Sequence, residues 1–311
     1  MMFGFRRRES DAPVPRQDWM TRLPEKARKA PLSSLCIPGS HDSFTSSLVP
    51  GCIPGPDQPE LIRKLAKDFP RIAQHILYRW SFTQHKDVVY QLENGIRYFD
   101  IRLVAVNDEF VIIHCLFGEP IQNILSKIKL FLQENPGEIV ILDFQHLYNF
   151  TPENNMELEN HVKQEFGESI CPCPQDPGEV SLDFMNSFRF QVICFHPRPI
   201  SRLFWPRYLA PNPWANTTSS AKLKRFLTKG LDERPKGLLF ISQGVFTPQL
   251  STIIFHCFSD LEHSCTRRCN RTVRSWLNKT RSKPNIVITD FVLCNKCSCD
   301  IINKIIRLNQ S

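Results

Sequence analysis

The chain has 311 residues, 41% of them hydrophobic, which is enough apolar material for one large core or two small ones and excludes disorder for its bulk. Its formal charge of +8, from 39 Lys and Arg against 31 Asp and Glu, is a modest basic excess that suits phosphate-bearing partners, either nucleic acid or an anionic membrane surface. No apolar run approaches the roughly 18 residues of a membrane-spanning helix, so membrane contact is expected to be peripheral.

The opening residues, MMFGFRRRES, carry charge without the apolar stretch of a secretory signal, and Gly4 is misplaced for N-myristoylation. Residues 1–30 are polar, with Pro13, Pro15 and Pro24, and read as a poorly ordered lead-in; residues 31–311 read as one folded domain without repeat or linker. Apolar runs at Leu32–Ile37, Ile96–Leu103, Phe110–His114, Ile139–Phe144, Phe190–Phe195, Leu238–Ile241 and Ile286–Phe291 each predict a buried strand. Amphipathic patterns between them predict helices over Glu60–Lys67, Gln84–Asn94, Ile121–Gln133, Pro152–Phe166, Ser219–Lys229 and Arg271–Lys279, the fourth marked by Thr151 as N-cap and Pro152 at the first helical position. Strand alternating with helix predicts an α/β fold with a parallel sheet, closed or doubly wound.

Two loops are long, Val49–Pro59 and Pro197–Thr218. The second sets Phe204, Trp205, Tyr208 and Trp214 among Arg198, Arg202 and Arg207, a mixture suited to a lipid headgroup zone or, equally, to aromatics packing onto the sheet. The 12 cysteines are scattered and, without an export signal, read as reduced thiols of a cytoplasmic protein, which makes the sequons at Asn149, Asn216, Asn270 and Asn278 irrelevant. Cys265, Cys269, Cys294, Cys297 and Cys299 do not give a clean zinc set, and no metal or cofactor is expected.

The informative feature is where polar residues fall. His41 and Asp42 follow the first run, Asp100 and Arg102 alternate within RYFDIRL, His114 ends EFVIIHC, Asp143 ends IVILD and Asp290 ends NIVITD. In a parallel α/β barrel the carboxyl ends of the strands converge on one mouth, where barrel enzymes carry their chemistry. Asp100 and Arg102, two apart, share a strand face that must be the interior if Phe99 and Ile101 meet the helices. Each has a plain alternative, His114 as a satisfied core histidine and Asp143 or Asp290 as a helix cap. Taken together, two histidines, carboxylates and an arginine suit phosphoryl chemistry: one imidazole removes a proton, another supplies one, and the guanidinium holds charge.

IPGSHDSF, QLENGIRYFDIRL, FVIIHCLFG, IVILDFQHLY, PWANTTS and VITDFV together resemble the phosphatidylinositol-specific phospholipase C X-domain-containing proteins, from about Trp19 to the C-terminus. The resemblance implies a single, somewhat irregular TIM-type barrel that cleaves phosphatidylinositol to diacylglycerol and an inositol phosphate through a 1,2-cyclic phosphate. It implies His41 as general base, His114 as general acid, Arg102 on the phosphate with Asp100 beside it, Asp42 assisting the phosphate and acid side, and Asp290 as the carboxylate that orients His41. Calcium-dependent relatives carry an acidic residue where this chain has Arg102, so calcium independence is expected. Where the family has His-Gly, this chain has His114-Cys115; if that backbone needs positive φ, cysteine costs roughly 1 kcal/mol.

A monomer touching a membrane surface is the expected working form. The alternatives are a glycerophosphodiester phosphodiesterase, which needs a carboxylate-held metal, and a weak or inactive barrel that binds phosphoinositides or a protein partner. A nucleic-acid role is set aside, because the basic residues are dispersed and no stacking platform or recognition motif is present.

Overall fold

The computed structural model describes residues 16–50, 54–293 and 301–310. Its strands are β1 (Ile37–Ser40), β2 (Tyr98–Val106), β3 (Glu109–His114), β4 (Leu116–Pro120), β5 (Val140–Tyr148), β6 (Val192–His196), β7 (Phe204–Pro206), β8 (Ile241–Gln243) and β9 (Ile286–Thr289). They form one nine-stranded sheet in the order β7-β6-β5-β2-β1-β9-β8, with β3 and β4 added outside that path. Every pair along the path is parallel. Such strands are covered on both faces, which is why Val140–Phe144 and Ile286–Thr289 are apolar almost throughout and wholly buried.

The helices are α1 (Glu25–Lys29), α2 (Glu60–Asp68), α3 (Pro70–Ser81), α4 (Val88–Glu93), α5 (Ile121–Glu134), α6 (Pro152–Phe166), α7 (Leu182–Ser187), α8 (Ser220–Glu233), α9 (Leu250–Phe255), α10 (Arg267–Leu277) and α11 (Ile301–Arg307). α5 buries Ile121, Ile124, Leu125, Ile128, Phe131 and Leu132, one stripe at three- and four-residue spacing laid on the sheet. α6 starts as its sequence signals, with Thr151 and Asn154 in a reciprocal cap. The sheet curls into an irregular TIM-type barrel. At its seam β7 and β8 do not pair; Ile241 N–H instead donates to Pro211 O at 3.0 Å, and Gln243 Nε2 reaches Asn212 Oδ1 at 2.7 Å.

Several expectations shift. The first strand is Ile37–Ser40, not Leu32–Ile37, because Leu32–Ser34 is a 3-10 turn. Pro38-Gly39 reads as a turn, yet Gly39 is demanded by close packing: a Cβ there would lie 2.8 Å from Ile288 Cγ2 and 2.9 Å from Tyr98 Cδ1. The strand ending in His114 is antiparallel to β2, pairing Leu103 with Ile112. Only Asn107 and Asp108 separate β2 from β3, both at positive φ (47° and 62°), which makes a hairpin and leaves no room for a crossover.

The lead-in is not all outside the core. Trp19, Met20 and Leu23 are buried, and the carboxylate of Glu138 accepts from Met20 N, Thr21 N and Thr21 Oγ1 while pairing with the buried Arg97 at 2.9 Å. The predicted helix from Glu60 continues past Pro70 as α3, and the one expected from Gln84 begins only at Val88, capped by Asp87. Within 197–218, Phe204 and Trp205 are buried in β7, as packing onto the sheet requires, whereas Tyr208 and Trp214 are exposed. Cys269 is buried with its thiol on Gly244 O; Cys294, Cys297 and Cys299 lie outside the described residues.

Candidate active site

Level with the carboxyl ends of β1 and β9 the backbone delivers four of the sequence-predicted residues to one place. His41 follows β1, Asp100 and Arg102 lie within β2, and Asp290 follows β9. His114 arrives differently: β2 runs out past the mouth and β3 returns antiparallel, ending at His114 back at the rim. Asp42 has φ of 41°, a left-handed turn, and its carboxylate lies near His41.

His41 Nδ1–H donates to Asp290 Oδ1 at 2.7 Å, and Asp42 Oδ2 is 3.5 Å from the same nitrogen. The carboxylate at hydrogen-bonding distance is therefore the one 249 residues away, not the neighbour in sequence. This fixes the tautomer and leaves Nε2, 3.4 Å from Arg102 Nη2 and 3.8 Å from Asp100 Oδ2, to accept a proton. Burial, the largest single effect, pushes His41 down; Asp42, Asp290 and Asp100 together outweigh it and raise the imidazole from 6.5 to about 9. Gln84 locks the two strand ends together, donating to His41 O and Thr289 O and accepting from Val292 N.

Asp42 is the hub. It pairs with Arg102 Nε through Oδ1 and with His114 Nε2 through Oδ2 at 3.2 Å. Burial works to raise its pKa, but Arg102 first, then His114 and His41, hold the carboxyl well below the usual range. Asp100 Oδ2 accepts from Asp42 N at 3.2 Å, and Asp100 N donates to Ser43 Oγ, so Asp100 supports the turn that aims Asp42.

The other imidazole has an uncharged orienter. His114 Nδ1–H donates to the carbonyl of Ser81, the last residue of α3, at 2.6 Å. A carbonyl only accepts, so Nδ1 carries hydrogen and Nε2 faces the site and Asp42. Cys115 does occupy the left-handed region, at φ 62°, its N–H on Asp57 Oδ2 at 2.6 Å; burial pushes its thiol up to about 12, which leaves it inert.

His146, which sequence reasoning missed, and Arg207, which it placed only in a long loop, complete the mouth. His146 pairs in register with Arg102, because β5 runs on to Tyr148 past the predicted end at Phe144. Arg207, just after β7, sits 3.0 Å from Asp143, which also takes a 2.6 Å bond from Tyr98 OH. Burial raises Asp143 to about 7 against the opposing pull of Arg207 and Tyr98. His146 and Arg207, with His41, Asp42, Arg102 and His114, floor a cavity of about 910 Å³ whose walls come from α2, α3 and α9. Ligand atoms of His41, Asp42 and Asp100 lie within 4.8 Å of one another, a spacing that could hold a cation, but the Arg102 guanidinium is already paired into that group on Asp42. Among the described residues no helix is long and apolar enough to cross a membrane.

The model of the phosphatidylinositol-specific phospholipase C X domain matches residues 76–196, which include Asp100, Arg102 and His114. Human PI-PLC X domain-containing protein 3 is 35% identical over 303 residues, covering 94% of this chain and 93% of that protein. Mouse PI-PLC X domain-containing protein 2 is 36% identical over 289 residues, covering 88% and 83%. Among solved structures, the phosphatidylinositol-specific phospholipase C from Listeria monocytogenes superposes with a TM-score of 0.62 at 19% identity, covering 96% of this chain and 100% of that one. A pentafluoro-Phe-substituted phosphatidylinositol-specific phospholipase C from Staphylococcus aureus gives 0.63 at 16% identity, covering 94% and 97%. At such identities the likeness is one of fold. With over a third of its residues shared across nearly its whole length, the chain belongs to the PI-PLC X domain-containing proteins.

Proposed function

We propose that the protein is a calcium-independent phosphoric diester hydrolase that cleaves phosphatidylinositol at a membrane surface. The observation that carries this is the pair of imidazoles on either side of Asp42, each with its Nδ1 tied back and its Nε2 turned to the cavity. His41 Nε2 takes the proton of the inositol 2-hydroxyl, and that oxygen attacks phosphorus. The bond to the diacylglycerol oxygen breaks as His114 Nε2–H supplies its proton, leaving the 1,2-cyclic phosphate. Water then opens the ring with the two roles reversed, giving the inositol phosphate. Arg102 meets the charge on the phosphoryl oxygens, and Asp42 and Asp100 hold Arg102 and the loop in place.

Calcium independence is supported by Arg102, since a guanidinium paired into the only candidate ligand group among the described residues opposes a cation and can itself neutralise phosphate. One observation favours a second reading, a barrel that binds phosphoinositide without turning it over: the strain of Cys115 beside the proposed acid. Product analysis on phosphatidylinositol and its phosphorylated forms, with calcium and with chelator, separates these. Diacylglycerol release unaffected by chelator is expected; binding without product supports the second reading, and activity lost to chelator overturns calcium independence.

A further inference from the structure

The catalytic floor fills only one end of the cavity. Beyond it, Ile62, Ala66, Phe69, Ala73, Ile76 and Trp80 recur at three- and four-residue spacing across α2 and α3, straight through Pro70, and line one wall. Opposite stand Phe246 and, on α9, Leu250, Ile253 and Ile254. A helical stripe of this kind ordinarily packs against protein. Here its rim is open: Phe69 of the stripe, Ile72 beside it and Ile254 on the opposite wall are 60%, 64% and 62% exposed, while Ala66 and Trp80 are buried.

We propose that this apolar extension is an acyl-chain groove, which takes a fatty-acyl chain of the phospholipid whose phosphate sits at Arg102. The inference rests on the phospholipase reading and deepens it. Two observations give the occupant. The groove is continuous with His41, Arg102 and His114, so a chain attached to a phosphate anchored at the floor meets these apolar walls within the same cavity. The direction also matches: His114, the proposed donor to the departing diacylglycerol oxygen, is held by the carbonyl of Ser81 at the end of α3. The leaving group therefore departs beside Trp80 and Leu77, where the stripe begins. The outer side of α2 carries exposed Arg63, Lys64 and Lys67, a basic flank suited to anionic headgroups beside the one bound. A lipid is thus recognised singly, by headgroup and chain together.

The test uses phosphatidylinositols from dibutanoyl to diheptanoyl, kept below their aggregation thresholds, with the full chain. Each methylene moved from water to an apolar wall is worth up to about fourfold, so kcat/KM is expected to rise by about two- to fourfold per step. Ala73→Phe, which fills the groove from α3, and Ile253→Trp, which fills it from α9, are each expected to flatten that rise. Neither should change hydrolysis of chain-free inositol 1,2-cyclic phosphate by more than about twofold. Calorimetric binding of the non-cleavable phosphonate analogues reads the groove without turnover. Affinity that climbs with chain length in the wild type and not in the variants upholds the groove even if no substrate is cleaved, in which case the phospholipase reading alone fails. Affinity and kcat/KM that ignore chain length below aggregation, and respond only when vesicles of phosphatidylinositol are supplied, overturn it and leave these apolar faces to the bilayer.

Discussion

The two imidazoles at the mouth are held by opposite means. His41 is tied by a carboxylate side chain, Asp290, from a parallel strand end; His114 is tied by a backbone carbonyl, Ser81, from a helix end. A carboxylate sets the tautomer and also stabilises charge, whereas a neutral carbonyl sets the tautomer with far less effect on charge. The difference suits the proposed base and acid, which would exchange roles within one cycle. It also means that the base's support can be removed by mutation and the acid's cannot.

The largest expected effects come from the rings themselves. His41→Ala and His114→Ala are each expected to lower kcat/KM on phosphatidylinositol by about 10²- to 10⁴-fold with the fold intact by circular dichroism. A residual rate within tenfold of wild type for either would remove that residue from the mechanism. Next is Asp290→Asn, which keeps the shape but not the charge and should cost about 10²-fold or more in kcat/KM.

The same substitution sharpens the comparison through pH. As the proposed base, His41 can act only when neutral, so the wild-type kcat/KM should climb with pH toward about 9, and Asp290→Asn should move that limb to lower pH. An unmoved limb would mean that another group sets it. Stability follows the opposite sign: the folded imidazole is raised, so its contribution is full below about 6.5 and is lost as pH rises through about 9, which chemical denaturation along a pH series measures.

Smaller effects belong to the His114 side. Cys115→Gly relieves the φ of 62° and is expected to stabilise the protein by up to about 1 kcal/mol in denaturant unfolding, with the entropy of the freed chain limiting the gain. If turnover also rises severalfold, the strain reaches His114. Smallest is Ser81→Ala, which leaves the carbonyl in place and should keep the rate within about twofold. A hundredfold loss would show that the hydroxyl, not the backbone, does the work.

What could be read in the sequence follows the same division. Side chains at strand ends announce themselves, so His41, Asp100, Arg102, His114 and Asp290 were legible as a group, and the geometry brings them together. A backbone carbonyl has no signature, and nothing in residues 70–81 could reveal that Ser81 would meet His114. His146 was missed because Gln145 and His146 look like a strand's end, whereas β5 continues over the mouth. The antiparallel return of β3 was readable in principle from Asn107-Asp108, whose residue types accept positive φ. The apolar faces of α2 and α3 carried a clear period, but a period cannot tell a covered face from an open one.

The latch between Glu138, Arg97 and residues 17–21 closes the end of the barrel opposite the mouth. A fragment started at Pro31 would keep both charges and lose the cover over them, together with the buried rings and chains of Trp19, Met20 and Leu23. Solvent would then reach an ion pair built to be dry, and the sheet would be an unstoppered vessel. A fragment that keeps the chain from Gln17 onward is therefore expected to be the more stable, and the base of the barrel is as much a product of chain order as its mouth.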